Sequence, residues 1–225
     1  MIMKLFPVLP SALATLFLTM TLAMSTYAEV VSPEQLEKDW SFHGLGSSKA
    51  QFNMFYMEES PNSKGVMAVS PQSYEGDVTV SYEIMPMTAA SVCVTILCAS
   101  DTGIADSLTL PAGYDGSMSI WTQQIENYFF AYHNGAHGRG PFIRLFPSND
   151  TLFEYKENVL RTGEFHKIEI RKRGATLSFY VDGKRLYRVK DDTPLDGGHI
   201  AFRLRGIPQQ TASCYIRNLE IKQGG

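Results

Sequence analysis

The sequence predicts an all-β fold: a two-sheet antiparallel β-sandwich of the jelly-roll type, with one short helix near the N-terminus. Three observations predict it. Apolar and polar residues alternate with period two through most of the chain beyond residue 40. Gly174 and the pair Asp182-Gly183 punctuate that alternation where hairpin turns need positive φ. No internal repeat, low-complexity linker or second-domain boundary interrupts the pattern, so a single domain of many short strands accounts for it.

Residues 1–28 come first. "MIMKLFPVLPSALATLFLTMTLAMSTYA" has one early cation, Lys4, then a long apolar run, then Thr26 and Ala28 at the minus-three and minus-one positions of a cleavage site. This is a secretory signal pattern, and Pro7, Pro10 and the polar exit argue against a retained anchor. The expectation is a periplasmic or extracellular protein whose mature domain spans residues 29–225. No later apolar run is long enough to cross a bilayer, so no stable membrane insertion is expected after cleavage.

A helix start follows. Ser32 suits the N-cap, Pro33 the first helical position, and Gln35 the third. "DVTVSYEIM" alternates Val78, Val80, Tyr82 and Ile84 with Thr79, Ser81 and Glu83, as a half-buried strand does. "SVCVTILCAS" is nearly continuous in apolar and small residues, so it reads as a central strand covered on both faces. "SIWTQQIENY" alternates Trp121, Gln123 and Ile125 with Thr122, Gln124 and Glu126, which predicts a tryptophan and glutamines along one sheet face. "YFFAYHN" predicts a strand with Tyr128, Phe130 and Tyr132 on one side and Phe129, Ala131 and His133 on the other, and Asn134-Gly135 as its turn.

The C-terminal part is the most regular. "FHKIEIRKRGATLSFYVDGKRLYRV" is three strands joined at Gly174 and at Asp182-Gly183. "GGHIAFRLRG" puts Ile200, Phe202 and Leu204 on one face and Arg203 and Arg205 on the other, and "CYIRNLEI" closes the chain as a strand. Cys93 and Cys98, five apart on one strand, should face opposite sides. Cys214 can pair with either in an oxidising compartment; three buried thiols are the alternative.

The formal net charge of −3 offers nothing to a nucleic-acid partner. Residues 128–173 nonetheless hold eight Lys or Arg against five Asp or Glu. Part of that excess is "RKR", Arg171 to Arg173, which reads as the solvated end of a hairpin.

The order "HKIEIRKRGATLSFYVDGKRLYRV", "GHIAFRLRG", "CYIRNLEI" resembles the C-terminal half of the concanavalin A-like lectin/glucanase superfamily. The stretch "DVTVSYEIMPM…VTILCAS…YFFAYHNGAHGRGPFIR", residues 77 to 145, resembles its YesU-like branch, bacterial proteins associated with polysaccharide breakdown. The superfamily resemblance implies a jelly roll whose concave sheet holds sugars, with no fixed reaction. Some members carry a structural calcium. "PSNDT", Pro147 to Thr151, is too thin a signal to claim one, so a structural calcium stays open and no other metal or cofactor is expected.

Chemistry concentrates in "AYHNGAHGRGPFIR", Ala131 to Arg144. A cationic, aromatic-lined cleft suits an anionic sugar, because guanidinium pairs carboxylate or sulfate with two hydrogen bonds. On a polyuronide the matching reaction is β-elimination, with His133 or Tyr132 as base or acid and Arg139 neutralising the carboxylate. Arg144, His137, Asn134, Trp121, Gln123 and Tyr128 are the expected sugar contacts, with core packing an equal explanation for Trp121. A non-catalytic, lectin-like protein using the same face is the alternative. Zinc is not expected: the four-residue spacing of His133 and His137 serves a helix, and Gly135 interrupts it. Superfamily hydrolases carry two glutamates and an aspartate at period two on one strand. Glu75, Asp77 and Glu83 lack that spacing, and "QQIENY" supplies Glu126 alone.

Overall fold

A computed structural model describes residues 27–224. Apart from Tyr27 and Ala28, the predicted signal segment lies outside the described residues. In chain order the elements are β1 (Tyr27–Val31), α1 (Pro33–Lys38), β2 (Ser41–Gly44), β3 (Gly46–Gln51), β4 (Met54–Glu59), β5 (Val66–Glu75), β6 (Val78–Pro86) and β7 (Val92–Asp101). There follow α2 (Ser119–Gln123), β8 (Ile125–His133), a 3-10 turn (Gly135–His137), β9 (Phe142–Phe146) and β10 (Asp150–Glu154). The chain ends with β11 (His166–Arg173), β12 (Thr176–Val181), β13 (Lys184–Lys190), β14 (Gly197–Arg205) and β15 (Ser213–Gln223).

These strands form two antiparallel sheets. One has the order β13-β12-β11-β6-β15-β4-β3, with β1 added beside β15; the other runs β10-β9-β8-β7-β14-β5-β2. The predicted β-sandwich with a short N-terminal helix is the observed architecture. The helix start is as the sequence reads: Ser32 accepts from the Gln35 amide while Gln35 accepts from the Ser32 amide. Asp182 and Gly183 have φ of 50° and 76°, which a two-residue hairpin of this hand requires.

The core lies between the sheets. Val80, Tyr82 and Ile84 of β6, Ile168 and Ile170 of β11 and Phe179 of β12 meet Tyr128, Phe130, Tyr132 and Phe202 from the other sheet. A second apolar cluster lies on the outer side of the seven-stranded sheet. There Met67, Val69, Val94, Ile96, Phe129, Ala131 and Ala201 are covered by Tyr114 and Trp121, with Leu108, Leu110, Met118 and Ile120 packed against them. The segment between β7 and β8 is therefore a third layer, and β7 is buried on both faces, as its unbroken apolar run predicts.

Two sequence expectations change here. The stretch beginning at Ser119 does not enter a strand until Ile125; its first half is the helix α2. This helix has no side-chain N-cap and is too short to stand on propensity, so packing holds it. Trp121 turns down onto the sheet, and buried Asn127 donates to the carbonyls of Trp121 and Ile125. Cys93 and Cys98 also do not face opposite sides. A register shift between Leu97 and Ser100, with Cys98 at φ 54°, re-aims the strand, so both join the inter-sheet core. All three cysteines are buried free thiols, and the Cys93 thiol, beside Cys214, is held well above its usual range by that neighbour and by burial.

Candidate functional site

β8 carries the predicted centre, and its alternation divides that centre in two. Tyr128 and Tyr132 point into the sandwich. The Tyr132 hydroxyl accepts from Tyr82 at 2.7 Å, and Thr95 lies 2.5 Å from Tyr82, so the three hydroxyls serve one another in the core. Burial pushes the Tyr132 phenol far up. Tyr132 is 1% exposed and cannot meet a substrate proton, which corrects its expected role. Tyr128 donates to Asp191 at 2.6 Å and accepts from the Leu195 amide at 3.0 Å. It is a structural tether to a buried carboxylate rather than a sugar contact.

His133 closes the strand where the register slips against Cys93 and Val94. Its Nδ1 meets the Ser91 carbonyl, and since a carbonyl only accepts, Nδ1 carries the proton. The residue is 2% exposed, and burial lowers its pKa, with nearby His166 acting the same way. His133 is thus a neutral, anchored ring, and Asn134 beside it is also buried. Trp121, fully buried between the third layer that carries it and the sheet, offers no stacking face; Gln123 stays exposed at the end of α2. These placements overturn Trp121, Tyr128 and Tyr132 as sugar contacts or catalysts: side chains with no exposed surface cannot reach a ligand.

What remains exposed lies along β9 and the loop before it. The loop crosses residues 155–157 closely, since a Cβ on Gly140 would meet the Tyr155 carbonyl oxygen at 2.2 Å. His137 and Arg139 project from it into solvent. Phe142 and Arg144 share the outer face of β9, two residues apart. The Arg144 guanidinium lies 5.5 Å from the Phe142 ring centre and donates to Asn149 at 2.9 Å, while its Nε is buried without a partner. Phe142 stacks in turn on Phe129, 6.0 Å between centroids. The sequence reading named Arg144 but missed Phe142 and Asn149. Phe142 was legible as the i−2 neighbour of Arg144 on a strand; Asn149 reaches it across the β9–β10 turn, which no local pattern announces.

Glu83, Glu126 and Asp77 are each held by partners of their own. Glu83 lies on the eight-stranded sheet, ion-paired to Arg217 at 2.6 Å and bonded to Asn218. Glu126 lies on the seven-stranded sheet and accepts from the Gly103 amide at 3.2 Å. Asp77 accepts from the Gly174 amide at 2.6 Å. A hollow of about 530 Å³ opens between residues 59–63 and 205–211, but its carboxylate, Glu59, is turned inward onto the amides of Gly206 and Ala212. Among the described residues, no three His, Cys, Asp or Glu side chains gather to hold a metal. His133 and His137 diverge, one held at Ser91 and one in solvent.

No protein-family model and no curated protein matches the sequence. Solved structures do match in shape. A protein of unknown function with a galectin-like fold from Bacillus subtilis superposes with a TM-score of 0.76 at 15% identity, over 88% of this chain and 94% of that one. A β-1,3-1,4-glucanase (lichenase) derived from a mouse hindgut metagenome gives 0.59 at 12% identity, over 88% and 99%. The cellulose-induced protein Cip1 gives 0.56 at 14%, over 82% and 91%. The chain has the fold these proteins share, that of galectin-like and glucanase-type sandwiches.

Proposed function

We propose that this chain is a secreted, non-catalytic carbohydrate-binding protein, with the outer face of β9 as a sugar contact. One observation carries the reading. The groups that could perform chemistry, Tyr132 and His133, are buried and hydrogen-bonded, whereas Arg144 stands half-exposed against Phe142. β-Elimination needs a base that reaches the proton beside the uronate carboxylate, and hydrolysis usually needs two carboxyls across one bond. Tyr132 and His133 are buried away from any such proton, and Glu83 and Glu126 lie on different sheets. An arginine braced on an aromatic ring is suited to recognition, since the ring fixes a guanidinium whose free N–H groups face outward.

The glucanase and the cellulose-induced protein among the structural neighbours support a carbohydrate role for this fold. The likeness of residues 77 to 145 to the YesU-like branch supports the same polysaccharide setting, and the apolar N-terminal segment supports export. Arg139 and Arg144 favour an acidic sugar.

The test is calorimetry of the mature chain with uronic-acid polysaccharides and neutral glucans, with ultraviolet absorbance and reducing ends followed in parallel. The expected result is binding without either chemical signal, weakened about tenfold by Arg144→Ala. Absorbance rising with reducing ends would overturn the non-catalytic reading in favour of a lyase. Unchanged affinity in Arg144→Ala would remove the site from β9.

A further inference from the structure

The opposite side of the sandwich carries a second arrangement that the reading above does not use. On the outer face of β11–β12–β13, the antiparallel register aligns three rows: Arg173, Thr176 and Lys190; Arg171, Ser178 and Arg188; Glu169, Tyr180 and Arg185. Lys172, between the two β11 arginines, turns inward and donates to the Gly76 carbonyl. Five cations thus share a surface two strand spacings wide, roughly 10 Å, with Glu169 as the carboxylate within the rows.

The cations differ in how they are held. Lys190 pairs with Asp192 at 3.0 Å. Arg171 pairs with Glu169 and lies 4.6 Å from the Tyr180 ring centre. Arg173 donates to Thr79 Oγ1 at 3.0 Å. The side chains of Arg185 and Arg188 make no hydrogen bond or ion pair with any described residue. The arginines surround a hollow of about 230 Å³ whose floor includes the hydroxyls of Thr176 and Ser178. Past Arg171 and Tyr180 the surface dips again, by about 140 Å³, towards Lys167 and Gly183. Like charges gathered around a hollow raise its potential, and an anion seated there relieves their repulsion.

We propose that this shelf binds an anionic polysaccharide, its carboxylates or sulfates held by Arg173, Arg185 and Arg188 and its hydroxyls by Ser178 and Thr176. The proposal rests on the carbohydrate-binding reading and gives it a second surface. Three features select this occupant. Planar guanidinium forks match carboxylate and sulfate groups. Two hollows on either side of Arg171 and Tyr180 suit a chain rather than a single small ion. The floor hydroxyls pair with sugar hydroxyls. A membrane surface needs apolar side chains to insert, and the exposed large hydrophobics, Val30, Leu45, Phe52, Met87 and Ile104, all lie off these strands. A single-stranded nucleic acid needs open aromatic faces, and Arg171 already lies over Tyr180.

The experiment is calorimetry of the mature chain with heparin, polygalacturonate and the neutral glucan laminarin. Arg185→Ala with Arg188→Ala is expected to weaken both anionic polymers by about tenfold or more and leave laminarin unchanged. The same pair changed to lysine keeps the charge but loses the forks, and should fall between. An unchanged melting temperature shows that the fold is intact. Anionic binding that persists in the alanine pair overturns the shelf, as does tighter binding of anionic vesicles or DNA than of either polymer. If Arg144→Ala alone abolishes anionic binding, the shelf fails and the carbohydrate reading stands. If no polysaccharide binds the unaltered chain, both fail.

Discussion

The two outer faces of the sandwich have opposite fates. The seven-stranded sheet is roofed by the segment between β7 and β8, so its outer residues are Val94, Ile96, Ala131 and Ala201 and its cover is Trp121 and Tyr114. The eight-stranded sheet is left open, and its outer residues are Ser81, Glu83, Lys167, Arg171 and Arg188. The roof thus spends the middle of the first face on stability and leaves only its β9 side, with Arg144, open to a ligand, whereas the second face is uncovered across β6, β11, β12 and β13. Shared fold therefore does not carry a shared site: a cleft over the central strands β7, β8 and β14 of the first sheet cannot form while an apolar layer occupies them.

The sharpest way to break that contrast is to unseat the roof. Trp121 is fully buried, and Trp121→Ala should cost about 3–5 kcal/mol, read as a lowered urea midpoint. If the variant unfolds at the same urea concentration and gains affinity for glucans, the segment is a removable lid and the two faces are alike after all.

A smaller effect is expected inside the core, where the predicted site residues now stand. Tyr128→Phe removes one of the donors to the buried carboxylate of Asp191, leaving the Thr193 amide at 3.0 Å. The loss should be about 1–3 kcal/mol in urea unfolding, with polysaccharide affinity unchanged. Altered affinity at constant stability would return β8 to the binding surface.

These placements show how much was legible. The strands β11, β13 and β15 were readable because each has one buried and one wetter face, and period two records that difference directly; β14, with Ala201 and Arg203 also buried, is covered on both faces. β7 was also readable as covered on both sides. The consequence of that cover, a third layer over the middle of the sheet, depends on which distant segment supplies it. Met118, Ile120 and Trp121 have the composition of a strand, and only packing against Val94 and Phe129 makes them a helical cap. Charge misled in a related way. The excess of Lys and Arg over residues 128–173 is continuous in sequence, but the fold sends Arg139 and Arg144 to one sheet and Lys167, Arg171 and Arg173 to the other. Arg171 and Arg173 of "RKR" are exposed as expected, but Lys172 between them is buried on the Gly76 carbonyl; the alignment of the two arginines with Arg185 and Arg188 depends on the β12–β13 register, which contains a bulge.

The smallest effect concerns His133, at the seam between the buried and exposed parts of the 131–144 stretch. Burial holds its folded pKa below the ordinary 6.5, against the weaker opposing pull of its bond to Ser91. Between those two values the unfolded chain binds the extra proton and the folded chain does not. Its contribution is therefore intact above pH 6.5 and lost as pH falls below it. His133→Asn keeps a donor for the Ser91 carbonyl and removes the titration, so its urea midpoint should vary less between pH 7 and pH 5 than that of the unaltered chain. His43, also lowered by burial, supplies part of the remaining slope. An equal slope in the variant would mean that His133 is open to solvent in the folded chain. The ring would then be accessible, and β8 would once more be a candidate for chemistry.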